Sequence, residues 1–193
     1  MTGVSADFTR AMLDACDLSD VRTLADIGGG AGSKLAGILS RYPAMRGLLF
    51  DLPHVVERAR PLLEAAGLLE RCEIQGGDFF ESAPAGADAY VLGHIIHDWD
   101  DAKAGRILDS LRRAISSGAR LLLVEYVIPD LDAVASGNGG WLSKWLDLHM
   151  MVAAGGLERT EAEYRRLFAA HGFRLTRVVP TAGDISVVEG VPA

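Results

Sequence analysis

Between about residue 22 and residue 126, short apolar runs alternate with amphipathic segments of helical period. Such alternation is typical of a parallel β-sheet with helices packed on both faces. We therefore predict an α/β fold. The predicted strands cover residues 23–27, 47–50, 72–74, 89–92 and 121–124, and the predicted helical stripes lie near residues 35–39, 55–66 and 107–115.

The last third of the sequence departs from this alternation. Residues 141–152 are predicted to be helical, and Thr160 with Glu163 forms a capping box for a helix that ends near Gly172. Two strand-like runs, 175–179 and 185–189, predict an antiparallel hairpin at the edge of the sheet. We expect a mostly parallel seven-stranded sheet in one domain, residues 1–193, with residues 1–20 as a helical lead-in.

The composition argues against several classes of function. The 19 basic residues are spread among 26 acidic ones, with a net charge of −7, so no basic surface for nucleic acid is indicated. No apolar run approaches the roughly 20 residues that cross a membrane. The two cysteines, Cys16 and Cys72, lack a metal-binding or redox spacing and are typical of a reducing compartment. We expect a cytoplasmic protein whose partners are small molecules.

A glycine-rich segment follows the first predicted strand and opens a helix, where backbone N–H groups are free to bind a ligand. It fails the dinucleotide fingerprint because Ser33 replaces the third glycine, and it fails the P-loop pattern because Lys34 precedes a leucine. The pattern that fits is acid-x-Gly-x-Gly-x-Gly, as in S-adenosylmethionine (SAM) methyltransferases. Its residues are Asp26, Gly28, Gly30 and Gly32.

Acidic side chains follow the neighbouring predicted strands as well. Asp51 ends the second strand, where a carboxylate can accept both ribose hydroxyls. Asp78 and Phe79 follow the third strand, and Glu125 ends the fifth. Because the carboxyl ends of parallel strands share one edge, these residues are expected to meet there. Each of them alone is also compatible with an ordinary turn or core position.

A histidine-containing segment, residues 94–99, follows the fourth predicted strand. His94, His97 and Asp98 lack further ligands at a characteristic spacing, so we expect no metal. A histidine at a strand end often has only a structural role. The cofactor loop on the same edge makes a general base an equally serious interpretation, since histidine titrates near neutral pH.

At this point the sequence resembles the small-molecule O-methyltransferases, which include plant caffeate and flavonoid enzymes and bacterial polyketide and anthracycline tailoring enzymes. The resemblance covers about residues 20–190, and its strength is the order and spacing of several motifs. They are residues 24–30, 50–55, 76–79, 97–99, 122–125 and 155–160. The implied fold is Rossmann-like, of the class I SAM methyltransferase type.

The resemblance implies roles for residues along the cofactor. Asp26, Gly28 and Gly30 would line the SAM pocket, with Asp26 suited to the cationic amino group of the ligand. Asp51 with Leu52 would hold the ribose, and Asp78 with Phe79 would bracket the adenine. Gly93 falls among the cofactor-lining positions, but plant members carry a lysine there. One cofactor contact is therefore expected to be absent.

The resemblance also implies a catalytic group. His97 matches the general base, and Glu125 and Glu158 match the acids that flank and orient it. The acceptor pocket would be lined by Trp99, Asp147, His149 and Met150. The implied reaction is methyl transfer from SAM to a phenolic hydroxyl of a small aromatic natural product, without a metal.

Two alternatives stay open. A repurposed relative could keep SAM while catalysing hydroxylation, decarboxylation or a pericyclic step, because a fold does not determine a reaction. The chain could also bind SAM and be inactive without a partner. Family members usually carry an N-terminal helical domain that dimerises and covers the active site, and this sequence lacks it. We therefore expect a homodimer or a separate N-terminal-domain partner to supply that cover.

Overall fold

The structure is a computed structural model that describes residues 2–129, 156–182 and 184–193. Its helices are α1 Thr2–Ala15, α2 Ser33–Arg41, α3 Pro53–Val56, α4 Ala59–Ala65, α5 Asp101–Ala114 and α6 Glu161–Ala170. Its strands are β1 Thr23–Ile27, β2 Arg46–Asp51, β3 Cys72–Gly76, β4 Ala89–Gly93, β5 Arg120–Ile128, β6 Arg159–Thr160, β7 Phe173–Pro180 and β8 Ile185–Pro192. Two short 3-10 helices cover Leu69–Arg71 and Ile96–Asp98.

The strands form one sheet in the order β3-β2-β1-β4-β5-β8-β7. The pairs among β1 to β5 are parallel, whereas β8 pairs antiparallel with both β5 and β7. The predicted mostly parallel sheet with a C-terminal antiparallel hairpin is thus confirmed. The sequence did not predict β6, a two-residue strand that pairs parallel with the end of β5.

Helices cover both faces of this sheet. Tyr164 and Phe168 of α6 join a buried cluster that includes Ile107, Leu108 and Leu111 of α5. A second cluster, on the other face, contains buried side chains of α1, α2 and α4, among them Met12, Leu35, Ile38, Leu39 and Leu63. Each fully buried leucine or isoleucine contributes about 1.5–3 kcal/mol relative to an exposed one, so these stripes hold the helices on the sheet.

Two element boundaries differ from the sequence prediction. The stripe near residues 55–66 is two helices, α3 and α4, because a continuous helix would push the ring of Pro61 against the carbonyl of Glu57. In the first turn of α4 that proline is tolerated. Strand β5 extends to Ile128, beyond the predicted end at residue 124, because β8 and β6 pair with its later residues.

The topology brings the candidate site residues to one edge of the sheet. Asp51 ends β2, Gly93 ends β4 and Gly28 follows β1 directly, all at the carboxyl ends of parallel strands. Along β1, Leu24 and Ala25 belong to opposite core clusters, so Asp26 faces the same side as Leu24, toward α2. In the described part of the chain, no helix is long and apolar enough to cross a membrane.

Candidate active site

The glycine loop between β1 and α2 depends on backbone conformations that favour glycine. Gly28, Gly30 and Gly32 have φ angles of 66°, 60° and 80°, in the left-handed region. A Cβ built on Gly30 would meet no atom within 4 Å, so the space beside this residue is open. The loop therefore presents bare backbone to open space at the carboxyl edge of the sheet.

Asp51 holds this loop in place from the end of β2. Its Oδ2 atom accepts a hydrogen bond from the N–H of Gly30 at 2.8 Å, and its Oδ1 atom accepts one from Leu52 at 2.7 Å. Each carboxylate oxygen keeps a further lone pair for a ligand hydroxyl. Leu52 is 40% exposed, which leaves an apolar surface beside the carboxylate.

An aromatic group borders the loop on the side of β3. The ring of Phe79 lies 3.6 Å from the position of a Cβ on Gly28, and Asp78 accepts a hydrogen bond from the N–H of Phe80 at 2.8 Å. Phe80 contacts both Phe79 and Trp99, with ring centroids 4.9 and 5.0 Å apart. The structure thus places Trp99, which was expected at the acceptor, in the aromatic group beside the predicted adenine residues.

His97 lies on the 3-10 helix that follows β4, and two buried carboxylates face it. Its Nδ1 atom is 2.8 Å from Oε1 of Glu158 and 3.9 Å from Oε2 of Glu125. Because a carboxylate accepts at Nδ1, that nitrogen carries a proton, and Nε2 is the ring nitrogen that gains or loses a proton as the histidine titrates. Nε2 lies 3.5 Å from Oδ1 of Asp98.

Glu125 has a second task, which is to hold the backbone under the histidine. Its Oε1 atom accepts hydrogen bonds from the N–H groups of Ile95 and Ile96, at 3.2 and 3.0 Å. It lies inside β5, not at the predicted strand end, and is fully buried. Glu125 therefore fixes the turn that carries His97, while Glu158 makes the direct hydrogen bond to the ring.

The two carboxylates change the proton affinity of the histidine. Burial lowers the pKa of His97. The hydrogen bond to Glu158 and the charges of Glu125, Glu158 and Asp98 outweigh that effect and raise the pKa above its ordinary value, to about 9. Burial raises the pKa of Glu125 to about 7, against the opposing charge of His97. Without a ligand, His97 is therefore a positively charged imidazolium at neutral pH.

Arg159 and Gly156 support this group, and neither was predicted from the sequence to have a role. Arg159 is fully buried and donates hydrogen bonds to the carbonyls of Ile96, Leu157 and Trp99 and to the carboxylate of Asp101. A Cβ on Gly156 would overlap the carbonyl oxygen of His97. Only the motif 155–160 hinted at these contacts, which join segments about 60 residues apart along the chain.

His94 is a strained neighbour of His97. Its φ angle of 55° is left-handed, which is costly for a residue with a side chain. Its ring lies 5.3 Å from that of His97 and 4.8 Å from that of Phe8, measured between centroids. Burial and the charges of His97 and Lys34 lower the pKa of His94 to about 4, so it is neutral at pH 7.

Sequence spacing offered no third metal ligand, but the fold brings Glu125 to the two histidines. Ligand atoms of His94, His97 and Glu125 lie within 4.8 Å of one another. However, Nδ1 of His97 bonds Glu158 and Oε1 of Glu125 accepts two backbone N–H groups. These hydrogen bonds already account for the orientation of Glu125 and His97, so we assign no metal here.

Asp26 does not offer the free carboxylate that the sequence analysis expected. Its Oδ1 atom is 2.8 Å from Nζ of Lys34, and its side chain is completely buried. Burial raises the pKa of Asp26, and the positive charge of Lys34 opposes that shift. The amine of Lys34 also lies beside Gly93. A cation is therefore present at the position where a cofactor contact was expected to be absent, because Gly93 has no side chain. Asp147, His149 and Met150 lie outside the described residues.

Comparison with known proteins gives this arrangement a family. The family of the O-methyltransferase domain matches residues 1–174. The phenazine O-methyltransferase PhzM of Lysobacter antibioticus is 45% identical over 190 residues, which are 98% of this chain and 54% of that protein. The 8-amino-8-demethylriboflavin N,N-dimethyltransferase of Streptomyces davaonensis is 40% identical, over 94% of this chain and 50% of that protein.

Solved structures agree with these relatives. CalO1, a methyltransferase in calicheamicin biosynthesis solved with bound SAH, the demethylated form of SAM, superposes with a TM-score of 0.87 and 40% identity. The match covers 98% of this chain and 54% of that one. The chain thus spans about half the length of the relatives it matches. From the matched domain, the identities and the fold, the chain belongs to the O-methyltransferase domain family, whose members depend on SAM.

Proposed function

We propose that the chain forms the catalytic part of a SAM-dependent O-methyltransferase that acts on a phenolic hydroxyl of a small aromatic natural product. The observation that carries this proposal is the His97–Glu158 hydrogen bond, placed directly after β4 and next to the glycine loop. Relatives whose names specify phenazine methylation and calicheamicin biosynthesis support the class of acceptor.

The residues along the sheet edge fit an extended nucleoside with an amino-acid end. Following the strand order, Asp78 and Phe79 come after β3, Asp51 ends β2, the glycine loop follows β1, and His97 follows β4. We assign the first pair to adenine, Asp51 and the exposed Leu52 to the ribose, and the loop to the amino-acid end. SAM, when bound, supplies an activated methyl group on a sulfonium.

His97 supplies the base for the acceptor. With Nδ1 bound to Glu158, the Nε2 atom accepts the proton of the phenol, whose pKa near ~10 keeps it protonated at neutral pH. Glu158 then stabilises the imidazolium that forms and fixes the orientation of the ring. Glu125 keeps the turn that carries His97 in place through its two backbone hydrogen bonds.

The proton that His97 holds at neutral pH must leave before the ring can act as a base. Like charges close together disfavour the charged form, so the pKa of His97 would fall below about 9 if a sulfonium lay beside the ring. The buried carboxylates keep His97 protonated without a ligand, and cofactor binding would favour its neutral form, which can act as a base.

The test is mass spectrometry of products formed by the purified protein with SAM and a panel of phenolic polyketides, phenazines and flavonoids. A gain of one methyl group on oxygen supports the proposal. A gain of one oxygen or a loss of carbon dioxide instead indicates a repurposed relative, and cofactor binding without any product indicates an inactive domain.

A second candidate is methyl transfer to an aromatic amine. The observation that favours it is the 40% identity to an N,N-dimethyltransferase of a riboflavin derivative. An aniline is already a free nucleophile at neutral pH and does not need a base, so its methylation would survive loss of His97. Comparing phenol and aniline acceptors in the His97→Ala variant separates the two reactions.

A further inference from the structure

Lys34 places a buried positive charge under the glycine loop. It lies in the first turn of α2, and its Nζ atom is 2.8 Å from Oδ1 of Asp26. Its side chain is 14% exposed, but the Nζ atom itself is shielded from solvent. An ammonium has three N–H donors, and among the described residues this carboxylate oxygen is its only partner.

An ammonium with unused donors is costly to bury. Gly93 at the end of β4 has no side chain, and a Cβ there would lie 2.8 Å from Nζ. The missing side chain at Gly93 is therefore what allows the amine to sit at this point.

This point lies between the ends of β1 and β4. Asp26 of β1 pairs with Val91 of β4, so Gly28, two residues on, runs level with Gly93. In the proposed arrangement the adenine lies toward β3 and the ribose at β2, with His97 just beyond β4. The amino-acid end of the cofactor therefore falls over β1 and β4, where Lys34 carries its charge.

We propose that Lys34 binds the carboxylate of the cofactor's amino-acid end, and that Asp26 positions Lys34 for this contact. The inference rests on the proposed function, in that SAM is taken as the cofactor. A carboxylate satisfies the remaining donors of the ammonium with charge-assisted hydrogen bonds. A purely structural ion pair with Asp26 is the alternative role of Lys34, but it leaves those donors of the ammonium unused.

Three ligands that differ only at the amino-acid end test this assignment. SAH carries the amine and the carboxylate, decarboxylated SAH keeps only the amine, and 5′-methylthioadenosine lacks both. In calorimetry, Lys34→Met should weaken SAH binding by about 10- to 100-fold, the effect of losing a charge-assisted hydrogen bond. Binding of the other two ligands should stay within about two-fold, because they offer no carboxylate.

Two further variants keep the test sound. Arg41→Met removes an exposed cation from the last turn of the same helix and should leave all three affinities unchanged. Lys34→Met strands the buried Asp26, so the double variant Asp26→Asn, Lys34→Met removes both charges together. It should fold, as judged by thermal unfolding, and show the same selective loss of SAH binding.

An equal loss for all three ligands in the folded double variant would mean that Lys34 only supports the loop, and would overturn the inference. Unchanged SAH affinity would overturn it as well. Failure of the unaltered protein to bind any of the three ligands would instead refute the proposed SAM function. The two failures are therefore distinguishable in one data set.

Discussion

At the scale of single residues, the carboxylates of Glu158 and Glu125 have different roles, which the sequence alone did not distinguish. Glu158 bonds the ring of His97 at 2.8 Å, whereas Glu125 stays 3.9 Å from the ring and holds the backbone of residues 95 and 96. A change at the first should alter the chemistry of the histidine. A conservative change at the second should be milder.

We predict that Glu158→Gln lowers the pKa of His97 and reduces methyl transfer by about 10- to 100-fold, because the hydrogen bond and the charge of Glu158 both raise that pKa. Glu125→Gln keeps an oxygen for the two backbone N–H groups and should cost less activity. Titration of the His97 ring by NMR, alongside the rate, measures both effects. An unchanged His97 pKa in Glu158→Gln would contradict this division of roles.

The raised pKa of His97 also predicts how cofactor binding depends on pH. Below a pH of about 9 the ring is positive, and among the described residues Glu158, Glu125, Asp98 and His94 are the ionisable groups that face it. A sulfonium is repelled by the imidazolium, so SAM affinity should rise with pH as the proton leaves. The neutral sulfur of SAH escapes this repulsion.

Calorimetry at several pH values between 6 and 9 gives the ratio of SAM to SAH affinity. We expect the ratio to increase with pH in the unaltered protein and to lose that dependence in His97→Ala. A ratio that is independent of pH in the unaltered protein would show that His97 does not face the sulfonium.

At the scale of elements, local sequence signals predicted most of the sheet but missed what tertiary contacts decide. Apolar runs located β1 to β5 and the hairpin to within a few residues. The end of β5 and the existence of β6 depend on pairing partners that no local pattern records. Pro61 is a local signal for the break between α3 and α4, but the apolar stripe that continues across it led to the prediction of one helix.

The same limit applies to the site. Gly30 and Asp51 were recognisable because a turn conformation and a strand end leave local signals. Lys34 and Arg159 were not recognisable, because only the fold creates their contacts. Lys34 contacts Asp26 and Gly93, and Arg159 contacts the segment around His97. An isolated basic residue in a sequence is most often a surface charge.

Arg159 offers a test at this scale, because it joins β6 to the turn that carries His97. We predict that Arg159→Met lowers the free energy of unfolding by about 2–4 kcal/mol, since several buried carbonyls lose their donor. Denaturation in urea measures the change. The exposed Arg165→Met on α6 is the control and should stay within about 0.5 kcal/mol. Equal effects of the two variants would show that Arg159 has no special structural role.

At the scale of the whole molecule, the parallel strands bring the proposed cofactor-binding residues and His97 to one edge of the sheet, while the chain spans about half the length of its relatives. Methyl transfer requires the exclusion of water and close alignment of the reacting atoms. We propose that a further domain, of this protein or of a partner, completes the cover over that edge.

Adding the N-terminal half of a relative in trans should then raise the rate of methyl transfer, with SAH affinity changed little. Light scattering and a steady-state assay on this chain alone provide the check. A monomer that turns over at about 1 s⁻¹ or faster, within the ordinary range of enzymes, would show that no such cover is needed.

We propose that His97 acts as the base beside a cofactor that other residues bind. The most direct measurement combines SAH calorimetry with the rate of phenol methylation in His97→Ala, and His171→Ala, a histidine paired with Asp109 outside the site, is the control. We expect SAH affinity within a few-fold of the unaltered protein and methyl transfer lower by about 10²- to 10⁴-fold. A methylation rate within a few-fold of the unaltered protein would contradict it.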